Sequence, residues 1–260
     1  MAGQVKQQRI VVPAGRAGMP MLVAHPIDGP CLAGVVIVQH IGGLSPVMEA
    51  EAARIASLGY CCVVPALYHR LGDIVVHPTS TDPSVSAIRD ICVASLRPET
   101  VNADIEAALD WLGAHFPHLA GKPCGLVGYG GGAGWAIGAG IAFGDRIGAI
   151  ASILGVGFLE GSDLRPKYDF AALSADLYFA FAGDDEIIPN TMIEALYGQL
   201  AASGCRYDMT VHPGLGHGYA FPERPNYSPE ASKADWQAID RLFRKTLLSD
   251  THYEAAGIRT

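Results

Sequence analysis

A chain of 260 residues, 50% of them apolar and only 17% charged, is long enough for one large α/β domain and leaves little room for solvated tails. Its formal net charge of −8, with no Lys/Arg cluster, argues against the basic footprint that nucleic-acid binding needs. No apolar run reaches the roughly 18 residues of a membrane helix, MAGQVKQQRI has no apolar signal core, and Cys31, Cys61, Cys62, Cys92, Cys124 and Cys205 lack metal-ligand spacing. The expectation is a single soluble domain over residues 1–260, cytoplasmic, with no metal, cofactor, nucleic-acid or membrane partner.

Short β-rich runs alternate with helical patterns along the chain, as in a mostly parallel sheet covered on both faces. Arg9–Val12 and Met21–His25 read as an opening antiparallel hairpin. Gly34–Gln39 follows, its GVVIV run fitting a strand buried on both sides. Ser45 and Pro46 mark the start of a helix over Met48–Leu58, and Tyr60–Pro65 is the next strand. His69–Arg97, rich in Pro, Ser, Thr and Asp, is expected as an irregular loop or lid over the C-terminal edge of the sheet. Thr100–Phe116 sets Val101, Ile105, Leu109 and Leu112 on one helical face. After the strand Cys124–Gly128, the helix Gly131–Phe143 holds so many small residues that it must lie close against its neighbours. Strands Ile147–Leu154, Leu177–Ala182 and Tyr207–His212 complete a set of eight, with helices over Thr191–Ala202 and Pro229–Leu248; Ile239, Leu242, Phe243 and Leu247 face inward on the last.

One stretch decides the chemistry. CGLVGYGGGAGW, residues 124–135, reads as a buried strand, a very tight turn and a close-packed helix start. This is the frame of the G-x-nucleophile-x-G elbow of α/β-hydrolases, whose middle residue is pushed out at the top of the sheet. Here that residue is Gly130, which has no side chain to attack anything. No Ser, Thr or Cys occurs from Gly125 to Phe143, and Cys124 lies roughly 13–20 Å from the elbow tip along an extended strand. The other members of the hydrolase order are present. GDDEIIP, residues 183–189, is an acidic turn after a strand; GLGHGYAF, residues 214–221, places His217 between glycines just past the last strand, poorly explained by packing alone.

The segment HPGLGHGYAFPERPNYSPEASKADWQAIDRLFRKTL resembles the C-terminal signature of the dienelactone hydrolase family. GVVIVQHIGGLSPVMEAEAARIASLGYCCVVPALYHR resembles that family's first β-α-β unit, and GDDEIIP its acid loop, so the likeness covers about residues 8–248. The resemblance implies an α/β-hydrolase fold of about eight mostly parallel strands, with His217 as catalytic base. It implies Asp185 as the orienting acid, with Asp184 as the alternative, and the Gly131 and Ile41 N–H groups as the oxyanion hole. Two departures stand out: Gly130 where the family carries Cys or Ser, and His40 where it usually carries a Glu that contacts the resting thiol.

The resemblance implies a small lactone, ester or cyclic enol compound as substrate, of the kind met in aromatic catabolism, and the missing nucleophile implies hydrolysis by water that His217 activates directly. His40 is expected as a second acid/base or substrate anchor, its plainer role being a strand-end histidine bonded to a backbone carbonyl. His69, Arg70 and Arg224 are candidates for an acidic substrate group, against a solvated loop pair and a rigid turn, and Tyr129 for a substrate contact, against packing. His25, His77, His115, His118, His212 and His252 form no ligand set. A lyase or isomerase using the same base, and an inactive hydrolase fold kept as a binding module, are the rival readings. Whether Gly130 is natural or introduced, and whether the chain forms a homodimer, are left open.

Overall fold

The computed structural model of the chain describes residues 4–14 and 17–248. Residues 1–3, 15–16 and 249–260, with His252 among them, lie outside these. The chain divides into two compact units, Met1–Cys124 and Gly125–Thr260, here taken one at a time.

In the first unit, strands β1 (Val5–Ala14) and β2 (Ala17–Pro26) pair antiparallel in a continuous register from Val5↔Pro26 to Ala14↔Ala17. They run longer than the apolar pattern suggests because β1 is a mostly exposed outer strand, where polar residues such as Gln7 and Gln8 cost little. Strands β3 (Gly34–Val38) and β4 (Cys61–Pro65) pair parallel, and the order is β1-β2-β4-β3. Every residue of β3 and β4 is buried, as the continuous apolar runs predict. Helix α1 (Pro46–Ser57) lies between them in sequence, with Pro46 in its first turn.

The segment 69–97 is not wholly irregular. It contains helix α2 (Pro83–Ser95), capped by Asp82, whose carboxylate accepts from the Ser84 N–H at 2.8 Å and is followed by Pro83 at the first helical position. The Asp-Pro start signal was present in the sequence but is masked by the surrounding Pro, Ser and Thr. The front of the same segment packs on the loop after β3: the Val76 N–H donates to the Gly42 carbonyl at 3.0 Å. Helix α3 (Pro98–His115) buries Val101, Ile105, Leu109 and Leu112, and with them the carboxylate of Asp104.

The second unit is built on β5 (Cys124–Tyr129), helix α4 (Gly131–Phe143) and β6 (Ile147–Ile153), with a two-residue pair, β7 (Leu159–Glu160) and β8 (Arg165–Pro166), in the following loop. Strand β9 (Asp176–Ala182), helix α5 (Asn190–Ser203), β10 (Tyr207–His212) and helix α6 (Pro229–Leu247) complete it. The order is β5-β6-β9-β10, with β6, β9 and β10 parallel. Small residues let α4 lie close to its neighbours: a Cβ on Gly134 would lie 2.8 Å from the Gly157 carbonyl oxygen and 2.9 Å from that of Val156. Helix α6 buries Trp236, Ile239, Phe243 and Leu247, while Leu242 is only half-buried.

Candidate active site

The elbow keeps its shape without its nucleophile. Gly130 holds φ 52° and ψ −122°, a conformation that L side chains rarely adopt, between β5 and α4. Its N–H donates to the Ile153 carbonyl at 3.2 Å, and its own carbonyl accepts from the Val156 N–H at 3.0 Å and the Ala133 N–H at 3.1 Å. The supporting loop carries a second unusual residue, Leu154 at φ 51°, fully buried and tied through its N–H to the Ala180 carbonyl at 2.9 Å. An ideal Cβ on Gly130 meets no heavy atom within 4 Å, so the position opens onto free space. In the first turn of α4 the Ala133 N–H donates to the Gly130 carbonyl and the Gly134 N–H to the Val156 carbonyl, both at 3.1 Å; those of Gly131 and Gly132 have no acceptor among the described residues. At the positive end of a helix, such N–H groups suit a developing oxyanion.

The structure brings His217 and Asp185 together. His217 Nδ1 lies 2.9 Å from Asp185 Oδ2 and 3.2 Å from Oδ1. Because a carboxylate accepts, Nδ1 carries the proton and Nε2 presents its lone pair as the base. Asp185 is buried in the turn after β9, and its Oδ1 also accepts the Ile187 and Ile188 N–H groups at 2.8 and 2.9 Å. Asp184, its neighbour, is exposed. Burial pushes the Asp185 carboxyl up, but the hydrogen bond from His217, the Ile188 and Ile187 N–H donors and the imidazole charge outweigh it and leave its pKa below the ordinary 3.8.

That direction fixes a pH dependence. A carboxyl with a depressed folded-state pKa contributes stability that is fully present above its unfolded value and is lost as pH falls through the folded one. The part of the stability gap between the wild type and Asp185→Asn that this shift supplies is therefore fully present above about pH 3.9. Below that it should shrink. Thermal unfolding of both proteins across the acid range reads it out, and a gap that widens towards low pH contradicts the assignment.

The loop that carries His217 is held from both sides. Asn226 Nδ2 donates to the His217 carbonyl at 2.7 Å, and the His217 N–H points at Glu186 Oε2, 3.4 Å away. Gly218, at φ 98°, lets Arg224 close on the loop, since a Cβ there would sit 2.8 Å from Arg224 Nε. Arg224 thus packs against the loop at Gly218, in a turn closed by its N–H to the Phe221 carbonyl at 3.0 Å. Tyr129 is fully buried, with its ring centroid 5.7 Å from that of Phe221, which is packing geometry.

In the first unit, the other expected site residues have local partners. His40 is buried, and its Nδ1 accepts the Gly42 N–H at 2.7 Å. A backbone N–H only donates, so His40 is held as the Nε2–H tautomer, and that nitrogen lies 3.3 Å from Ser45 Oγ. This geometry ties the Nδ1 side of the ring to its own loop. The Ile41 carbonyl accepts from the Tyr68 hydroxyl at 3.2 Å, and the Ile41 N–H has no acceptor among the described residues. His69 and Arg70 converge on buried Asp104: His69 Nε2 lies 3.2 Å from Oδ1, and Arg70 binds both oxygens, at 2.7 and 2.8 Å. This bidentate pair, with a buried carboxylate and an exposed guanidinium, ties α3 to the turn after β4. Cys124 Sγ sits beside Gly34, at the opening of β3, where a Cβ on the glycine would lie 3.0 Å from it.

Among the described residues no group of three His, Cys, Asp or Glu side chains is arranged to hold a metal, and no helix is long and apolar enough to cross a membrane.

The model of the dienelactone hydrolase family matches residues 19–247. The Methylorubrum extorquens protein named "Putative carboxymethylenebutenolidase" is 29% identical over 261 residues, covering 94% of this chain and 81% of its own. A Klebsiella pneumoniae crystal structure, named as a "Putative Dienelactone Hydrolase", superposes with TM-score 0.79 at 23% identity, covering 94% of this chain and 100% of that one. A dienelactone-hydrolase-like promiscuous phosphotriesterase from metagenomic libraries superposes with TM-score 0.75 at 17% identity, covering 94% and 99%. At these identities the superpositions speak to the fold, which is that of an α/β-hydrolase, with mostly parallel strands and flanking helices.

Proposed function

This chain belongs to the dienelactone hydrolase family, and from that membership we propose a lactone or ester hydrolase that activates water directly, without a covalent intermediate. The observation that carries the reading is the pairing of an intact base with an empty elbow. His217 and Asp185 are 2.9 Å apart, while Gly130 offers no nucleophile and opens onto free space.

The steps follow from the tautomer. Asp185 holds the Nδ1 proton, so Nε2 removes a proton from a water molecule as its oxygen bonds to the carbonyl carbon. The carbonyl π pair moves to oxygen, and the Gly131 N–H stabilises the negative charge; the family resemblance adds the Ile41 N–H as a second donor. Collapse of the adduct breaks the bond to the leaving oxygen, which takes the proton back from the His217 imidazolium. A ring-opened hydroxy acid, or an acid and an alcohol, results. The carboxylate of Asp185 stabilises the imidazolium throughout and is not itself protonated.

The substrate is a small one. Of the cations expected to anchor an acidic group, His69 and Arg70 bind Asp104, and Arg224 lies against the His217 loop at Gly218. The test is a panel of dienelactones, muconolactones, aryl esters and ring-cleavage products followed by acid release. Acid release from at least one lactone or ester is expected. Isomerised or cleaved products without acid release would favour the lyase or isomerase reading, and saturable binding of a small acid with no conversion would favour a binding module.

A further inference from the structure

Asp235 is a carboxylate on α6 with 1% of its surface exposed, one turn before the core residue Ile239. Its Oδ2 accepts from the Tyr219 hydroxyl at 2.6 Å. Its Oδ1 accepts from the Tyr178 hydroxyl at 2.8 Å and lies 2.8 Å from His212 Nε2. No Lys or Arg pairs with it among the described residues, so hydrogen bonds from two phenols and one imidazole hold the buried charge.

The positions of these donors in the chain give the cluster its meaning. His212 is the last residue of β10, and Tyr219 follows Gly218. Residues 213–218 lie between them, and they carry His217. One carboxylate therefore ties both feet of the loop that presents the base. The two rings also meet edge to face, with centroids 4.9 Å apart. Between the feet, Gly214 at φ 74° and Gly218 at φ 98° give the backbone little steric restraint of its own. Burial, then the charge of Asp235 and the hydrogen bond to it, push the Tyr219 hydroxyl far above its ordinary pKa, so it stays a donor across the working pH range.

We propose that Asp235, through Tyr219 and His212, acts as a clasp that positions the His217 imidazole against Asp185. This rests on reading His217 as the base, and it assigns Asp235, Tyr219 and His212 as positioning residues that do not touch substrate. A base displaced by about 1 Å can lose roughly a hundredfold in rate, so the clasp acts on kcat and leaves substrate affinity nearly unchanged.

The test uses Tyr219→Phe, which removes one hydroxyl and keeps the ring, and Asp235→Asn, which cannot accept from all three donors. The low-field proton resonance of His217 Nδ1–H, identified by its loss in His217→Ala, is recorded for each protein without any substrate. Tyr219→Phe is expected to speed its exchange with solvent by about tenfold and to lower kcat by about 10- to 100-fold with KM within about twofold. An unchanged resonance in a folded Tyr219→Phe protein overturns the clasp, whatever its melting temperature. If Asp235→Asn does not fold, Tyr219→Phe decides alone. The resonance arm is independent of turnover: a shifted resonance in a protein that hydrolyses nothing supports the clasp while refuting the hydrolase reading.

Discussion

Replacing His217 with alanine is expected to lower kcat on any true lactone or ester substrate by about 10²–10⁴-fold, the range that a positioned general base contributes. KM should change little, because the imidazole acts on a proton in flight rather than on the bound ground state. The fold should survive, since the bonds that hold the loop use the His217 main chain: Asn226 Nδ2 donates to its carbonyl and Glu186 faces its N–H. Steady-state kinetics with thermal unfolding as the control makes the comparison. Unchanged turnover in a folded His217→Ala protein would remove the base from the mechanism and leave Asp185 orienting nothing.

Gly130→Cys is expected to have the second largest effect, in the opposite direction. The added Cβ meets no heavy atom within 4 Å, so the side chain enters open space. The backbone penalty is the obstacle: a non-glycine residue at φ 52° costs about 1–3 kcal/mol. Gly130→Ala measures that penalty alone and should melt lower with no gain in rate. The thiol, if His217 deprotonates it, restores the two-step covalent route. A nucleophile–base unit contributes roughly 10⁶-fold in hydrolases of this logic. Even a poorly aligned thiol is therefore expected to raise kcat/KM by about tenfold or more and to show a burst of product. No gain over Gly130→Ala would mean that the elbow and the base are no longer aligned for covalent chemistry.

Much of the scaffold was legible in the sequence because the signals are local. GVVIV and the run before GDDEIIP read as buried strands, and the glycine-dense stretch at residues 128–134 announces a tight turn and a close-packed helix start. His217 was legible for the same reason, standing between two glycines at a strand end. Helix α2 escaped because its composition is that of a loop and only the Asp82–Pro83 pair marks its start.

What stayed hidden depends on side chains that meet across long stretches of chain or on rotamers. Arg70 and Asp104 are 34 residues apart, so a cation that reads as free for a ligand turns out to be bound to an acid that reads as part of an ordinary helix face. His40 occupies a position where the family places a functional residue, yet its ring turns back on the Gly42 N–H, a choice of rotamer that no spacing encodes. Asp235 left one trace: a charged residue four positions before Ile239, on the apolar stripe of α6. A carboxylate there must be satisfied internally, but its donors, from Tyr178 to Tyr219, sit 57 to 16 residues away.

The central claim is that this hydrolase scaffold turns over substrate without ever bonding to it. Intact-protein mass spectrometry of samples acid-quenched during turnover reads this directly. The wild type should keep its unmodified mass at every time point while Gly130→Cys accumulates a substrate-derived adduct. An adduct on the wild-type chain, at Cys124 or any other side chain, would contradict the account.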